Sequence, residues 1–365
     1  MSKNIGILSM QKVVNYGSFL QAFGLKKLLE NFKYDVFFLD IESGEHLPGL
    51  ESRKKPLHSR ISKLATSFCP GKRSPFNTEE KQFLSKLKQQ FHEIFFPILE
   101  LEKKKPEYFD CVVIGSDEVF HACQKSPWGF SKQLFGEGIP SRRVISYAAS
   151  FGNTTKESIN NFGIGNEIAQ SLKGLWSISV RDKNSYELIK HLVHKAPLLH
   201  LDPVLVYDYH DYLSPVNENE YIILYAYPGR MSEEEKEQIV DFSNQKQKKL
   251  LSIGCFYPWC DEVLFPTTPF EVLSYFNSAD YIITDTFHGT IFSLKYNKNF
   301  CTFVRDSNRH KITHLLDKLD QNSRIVNESW ELDKVLKSAP DYSLTNEIIK
   351  SEKRSAVDYL RESLP

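Results

Sequence analysis

The opening of the chain restricts its possible folds more than any other stretch. Asn4-Ile-Gly-Ile-Leu8 has the make-up of a buried strand, residues 19–29 carry apolar side chains at helical spacing, and Tyr34-Asp-Val-Phe-Phe-Leu-Asp40 is a second strand. A strand, a helix and a strand in that order imply a parallel sheet with a helical crossover. Ligands of such sheets lie at the carboxyl ends of the strands. The form recurs along the chain. Tyr108-Phe-Asp-Cys-Val-Val-Ile-Gly-Ser-Asp117 and Arg143-Val-Ile-Ser-Tyr-Ala-Ala-Ser-Phe-Gly152 are strands that end in small and polar residues, and Leu175-Trp-Ser-Ile-Ser-Val-Arg-Asp182 leads into a helix over about 185–193. After a polar segment, 208–220, the pattern restarts with Tyr221-Ile-Ile-Leu-Tyr-Ala-Tyr227, Lys249-Leu-Leu-Ser-Ile-Gly254 and Phe300-Cys-Thr-Phe-Val304.

A chain of 365 residues exceeds the usual single core. The expected architecture is therefore α/β, with an N-terminal domain over 1–207, a second over 220–345 and a C-terminal helix over 346–365. Between about 43 and 107 the pattern changes to charged helical segments separated by Pro56, Pro70, Pro75 and Pro97, which predicts a helical insertion in the first domain. Its aromatic residues are candidates for stacking on sugar faces.

The 46 basic and 46 acidic residues balance, which argues against a dedicated nucleic-acid binder. Six cysteines are scattered without metal-ligand spacing, so no metal is expected, and Cys111 and Cys301 lie in strand-like runs as buried thiols. No apolar run is long enough to span a bilayer and no secretory signal precedes Ile5, so a cytoplasmic protein is expected.

The most informative motif is Tyr281-Ile-Ile-Thr-Asp-Thr-Phe-His-Gly-Thr-Ile-Phe-Ser-Leu-Lys-Tyr296, where a strand gives way to a helix around His288 and Gly289. The first turn of a helix has unpaired N–H groups and the positive end of the dipole, so an anion is favoured there. His288 either caps the turn or serves an anion as proton donor, and Gly289 would let a ligand approach the backbone. Asp117 likewise either caps a turn or faces a ligand. Arg181 either clamps a carboxylate or phosphate or pairs with Asp182. The stretch Arg305-Asp-Ser-Asn-Arg-His-Lys311 is either a surface loop or a cationic loop beside His288.

Taken in order, Ile5-Gly-Ile-Leu with Asn15-Tyr-Gly and Leu20-Gln-Ala, Phe109-Asp-Cys-Val-Val-Ile-Gly-Ser-Asp117, Tyr147-Ala-Ala-Ser-Phe-Gly152, Val180-Arg-Asp with Ser185, Asp202-Pro203 and Asp285-Thr-Phe-His-Gly-Thr290 resemble the polysaccharide pyruvyl transferase family. The resemblance implies two Rossmann-like domains facing across a cleft, a glycosyltransferase-B-like fold. It implies transfer of the enolpyruvyl group of phosphoenolpyruvate to a sugar of a bacterial surface polysaccharide or its precursor, usually closing a pyruvate ketal, with no cofactor beyond that donor substrate. His288 is then the acid or phosphate ligand, and Asp117 is a candidate base. Arg181, Thr286, Phe287, Gly289, Thr290, Arg305, Arg309 and Lys311 are the donor-side candidates; Asn15, Tyr16, Ser18, Gln21 and Ser116 are the acceptor-side ones. Ser18 stands where some members carry Asp, and Thr286 where some carry Arg, so the donor's charge has to be met elsewhere. The acceptor is a saccharide, free or lipid-linked, and contact with the inner face of the membrane would be peripheral. Two other readings share this architecture: a nucleotide-sugar-dependent glycosyltransferase and a non-catalytic carbohydrate-binding relative.

Overall fold

A computed structural model of the protein describes residues 2–50 and 78–365. Among the described residues, twelve strands form two parallel sheets of six. The first holds β1 (Asn4–Leu8), β2 (Asp35–Phe38), β3 (Cys111–Asp117), β4 (Val144–Ala149), β5 (Ser179–Val180) and β6 (Leu198–Leu199), in the order β2-β1-β3-β4-β5-β6. The second holds β7 (Tyr221–Tyr225), β8 (Lys249–Ile253), β9 (Glu262–Leu264), β10 (Tyr281–Thr284), β11 (Asn299–Phe303) and β12 (Ile325–Val326), in the order β12-β11-β10-β7-β8-β9. The expected pair of Rossmann-like units is what the chain forms.

The central strands are the apolar runs of the sequence, as a sheet covered by helices on both faces requires. All seven residues of β3 are buried, and β1 is buried from Ile5 onward. Cys111 and Cys301 sit in these strands at 0% exposure, as expected. In each sheet the strand order reverses once, at β1 in the first and at β7 in the second. β3 and β2 flank β1 in the first sheet, and β10 and β8 flank β7 in the second. Those reversals open the crevices in which α/β sheets hold ligands, and the residues that follow β3 and β10 meet across the seam between the sheets.

Three further elements join the halves. In the 208–220 segment Tyr209 is wholly buried, and its hydroxyl donates to the Leu20 carbonyl at 2.6 Å. The C-terminal helix Ser343–Ser363 returns to the first sheet, where the Tyr359 hydroxyl donates to the Ser146 carbonyl of β4 and its ring packs on His200. The described part of the insertion corrects the sequence reading. Thr78–Gln90 is helical and continues through a single wide turn, Phe91–Phe95, and a short helix, Phe96–Ile98. Phe83, Phe91, Phe95 and Phe96 are buried against Tyr16 and Phe19 of the first half and Phe256 and Phe265 of the second, and Gln90 donates to the Pro266 carbonyl. These rings are core, withdrawn from any sugar, because burying four phenylalanines releases more free energy than exposing them to stack. Residues 51–77 of the predicted insertion, with Pro56, Pro70 and Pro75, lie outside the described residues.

Candidate active site

Each half contributes one side of a buried polar junction. On the first sheet, Arg181 leaves the end of β5 and is held between two carboxylates, Nη1 on Asp202 Oδ2 at 2.8 Å and Nη2 on Asp117 Oδ1 at 2.9 Å. Its side chain is 1% exposed, so the pairs are shielded from water. Asp117 ends β3 with a positive φ of 78°, an uncommon backbone for a residue with a side chain. Its second oxygen accepts from the Ser18 hydroxyl at 2.8 Å. Burial alone would raise the Asp117 pKa, but Arg181, then His288 and Lys311, outweigh it and hold the group at about 2. Asp202 accepts from the Val204 N–H through Oδ1 and from the Ser116 hydroxyl through Oδ2. Despite burial, its pKa too is lowered, by His288 and Arg181.

On the second sheet, β10 ends at Thr284 and Thr286 caps the helix Phe287–Lys295, its hydroxyl accepting from the Gly289 N–H at 2.8 Å. The cap turns His288 across the seam. His288 Nε2 lies 3.7 Å from Asp202 Oδ2 and is buried without a hydrogen-bond partner. The imidazole rests on Gly17, where a Cβ would fall 2.1 Å from His288 Cγ. The glycine of Asn15-Tyr-Gly is therefore required by a ring from the other half of the molecule. Phe287 lies beneath Arg181, whose guanidinium carbon is 4.4 Å from the ring centroid, and Lys311 Nζ stands 5.6 Å from the same centroid. Lys311 pairs across the seam with Glu118, the residue after Asp117. Glu118 Oε2 lies 3.9 Å from His121 Nε2, and His121 Nδ1 is 2.9 Å from the Thr154 hydroxyl.

The junction combines groups that can bind an anion and carry a proton. It has one imidazole nitrogen and one guanidinium nitrogen, Arg181 Nε, buried without partners, and a lysine held by a single carboxylate. Oriented donors in a water-poor setting favour a group on which negative charge develops.

The sequence pattern of the polysaccharide pyruvyl transferase family matches residues 15–307. The chain belongs to that family. The match runs from the Asn15 turn to the loop after β11, so it takes in both sides of the junction. A search of curated protein sequences finds no match. Among solved structures, this pyruvyl transferase family member resembles Arabidopsis thaliana UGT89C1 complexed with quercetin, with a TM-score of 0.51 at 10% identity over 99% of this chain and 98% of the other. It resembles the MnaA–UDP structure from S. aureus at 0.50, with 12% identity over 99% and 96%. The UDP-GlcNAc 2-epimerase from Methanocaldococcus jannaschii gives 0.50, with 11% identity over 99% and 100%. These likenesses establish the glycosyltransferase-B-like fold.

Within this family member the structure sorts the candidate residues. His288, Phe287, Arg181, Lys311 and Asp117 come together. Arg305 does not join them as a free cation, because Glu235 holds its guanidinium bidentately at 2.7 and 2.8 Å and Asp285 lies 3.5 Å from its Nε. Arg309 is exposed and reaches only Asp306. Gly289 admits no ligand to the backbone, since the space a Cβ would take is filled by the Thr284 and Thr286 hydroxyls, at 2.2 and 2.7 Å. Thr290 is internal as well, bonded to the Thr286 carbonyl and Thr302.

Of the acceptor-side candidates, Tyr16, Ser18, Gln21 and Ser116 are buried, and Asn15 caps its helix by accepting from the Ser18 N–H. Gln21 donates to Ser9 and to the Ser18 carbonyl. Of these residues, Ser18 holds Asp117 directly through its hydroxyl, while Tyr16 packs on Phe91 and Phe95. Asp117 itself is a poor base at about 2, since a carboxylate held this firmly by Arg181 has little affinity for a proton. Gly17, Glu118, His121 and Asp202 were not among the sequence candidates. Asp202 had a signal in Asp202-Pro203, which the sequence offers as a turn. Glu118 had one only in its place beside Asp117.

Proposed function

We propose that this pyruvyl transferase family member moves the enolpyruvyl group of phosphoenolpyruvate onto hydroxyls of a saccharide and closes a pyruvate ketal. The observation that carries the reading is the seam itself: an unpartnered imidazole nitrogen, a ring-backed guanidinium and a lysine converge from two sheets on one buried point. His288 delivers a proton to C3 of the donor, which makes C2 an oxocarbenium-like electrophile. A sugar hydroxyl forms a bond to C2, the C2–O bond to phosphate breaks, and a second hydroxyl closes the ring. Of the two hydroxyl protons released, one replaces that given to C3 and the other leaves on inorganic phosphate. Arg181 and Lys311 face the charge on the departing phosphate. Asp202 orients His288 and fixes Arg181; Asp117 fixes Arg181 from the other side.

Thermal unfolding of wild type and His288→Ala with phosphoenolpyruvate, inorganic phosphate and a panel of nucleotide sugars tests this. A ligand that binds the folded state alone stabilises it by about 2.7 kcal/mol at a hundred times its dissociation constant. Phosphoenolpyruvate is expected to raise the midpoint of wild type, and His288→Ala to reduce the shift. A shift with a nucleotide sugar alone would move the protein to the glycosyltransferase reading.

A further inference from the structure

Lys311 is the least committed cation of the seam. Arg181 is fixed by two aspartates and Arg305 by Glu235 and Asp285, whereas Lys311 meets one carboxylate, that of Glu118. Its side chain is 9% exposed and that of Glu118 19%, so the pair lies at the mouth of the junction, outside the fully buried Arg181. The groups around Glu118 are Lys311, His121, Asp117, Arg181, Tyr227 and the backbone at Gly152, where a Cβ would fall 2.6 Å from Oε2.

Resting on the reading above, we propose that Glu118 is a displaceable counter-ion: the donor's phosphate takes Lys311 from it, and the released carboxylate then accepts the proton of the attacking sugar hydroxyl. A phosphate carries more charge than a carboxylate and offers more acceptor oxygens, so it competes well for one ammonium. Once Lys311 has turned to the phosphate, Glu118 faces Asp117, Tyr227 and a new anion, with His121 beside it and an Arg181 already committed to two aspartates. Like charge and burial both favour its protonated form. The donor thereby creates its own base, and the order of events is donor first, acceptor second. The balance is unchanged: the hydroxyl proton passes to Glu118 as the C2–O bond forms, and leaves on phosphate when Lys311 returns.

Isothermal calorimetry with phosphoenolpyruvate, and separately with inorganic phosphate, tests the proposal on wild type, Glu118→Gln and Lys311→Met at pH 6 in two buffers of different ionisation enthalpy. Glu118→Gln is expected to bind both anions several-fold more tightly, because Lys311 no longer has to be taken from a carboxylate, and to take up fewer protons on binding than wild type. Lys311→Met is expected to bind both more weakly. Glu118→Asp, which keeps the charge at a shorter reach, is expected to fall between wild type and Glu118→Gln and serves if the latter fails to fold. Unchanged or weaker binding in Glu118→Gln, or equal proton uptake, would overturn the proposal. Tighter phosphate binding without any phosphoenolpyruvate binding would leave the ion-pair exchange standing and sink the pyruvyl donor instead.

Discussion

Gly17 shows how one missing side chain sets the site. A methyl group there would overlap His288 at three atoms, the ring's Cγ and Nδ1 and the Cβ, between 2.1 and 2.5 Å, so either the side chain or the seam has to move. Gly17→Ala is expected to lower stability by about 1–3 kcal/mol, the usual cost of overpacking a tight contact. A urea titration checks that figure, and the variant should also lose the donor-induced thermal shift of wild type. Nothing at Asn15-Tyr16-Gly17 announces this partner in the sequence, because the glycine's neighbour is a residue of the other sheet. Lys311 and Arg305 make the same point. They have the same charge, six positions apart, and the placement of Glu235 and Asp285 decides which of them reaches the junction.

At the scale of elements, the helix Phe287–Lys295 connects the site to the linker. Its first turn carries His288, and its last residue, Lys295, donates to the Tyr207 carbonyl at 2.7 Å with its ammonium 5.1 Å from the Tyr209 ring centroid. Burial, and then the charge of Lys353, push the Lys295 pKa down to about 7, against a weaker opposing pull from Asp208. Between pH 7 and 9 the unfolded chain keeps a proton that the folded lysine has lost, so folding stability rises with pH across that window. Lys295→Met is expected to flatten this rise, measured as guanidinium midpoints at pH 7 and 9. The strand and helix starts here were legible, since β10 is a run of buried β formers and Thr286 is a standard capping type. The two-residue strands β6 and β12 and the three-residue β9 are too short for any periodicity to declare itself.

For the whole molecule, the sequence pointed to two parallel sheets but not to how they face each other, because hydrophobic pattern specifies each sheet's own core and says little about a polar seam. The elements that fix the seam are those that cross it, the C-terminal helix among them. Leu360 is wholly buried in the same core cluster as β1 and the helix Tyr16–Asn31. Leu360→Ala is expected to cost about 2–5 kcal/mol, and calorimetric unfolding should show the transition of wild type lowered or split as the halves uncouple. The pairing of Lys311 with Glu118 joins residues 193 positions apart in the chain. Contacts so distant in sequence close late, after the loops between them have lost their freedom. A chain refolding from denaturant therefore regains its helices and both sheets before it regains a seam that can hold an anion, and recovered helical signal is an early and incomplete measure of recovered protein.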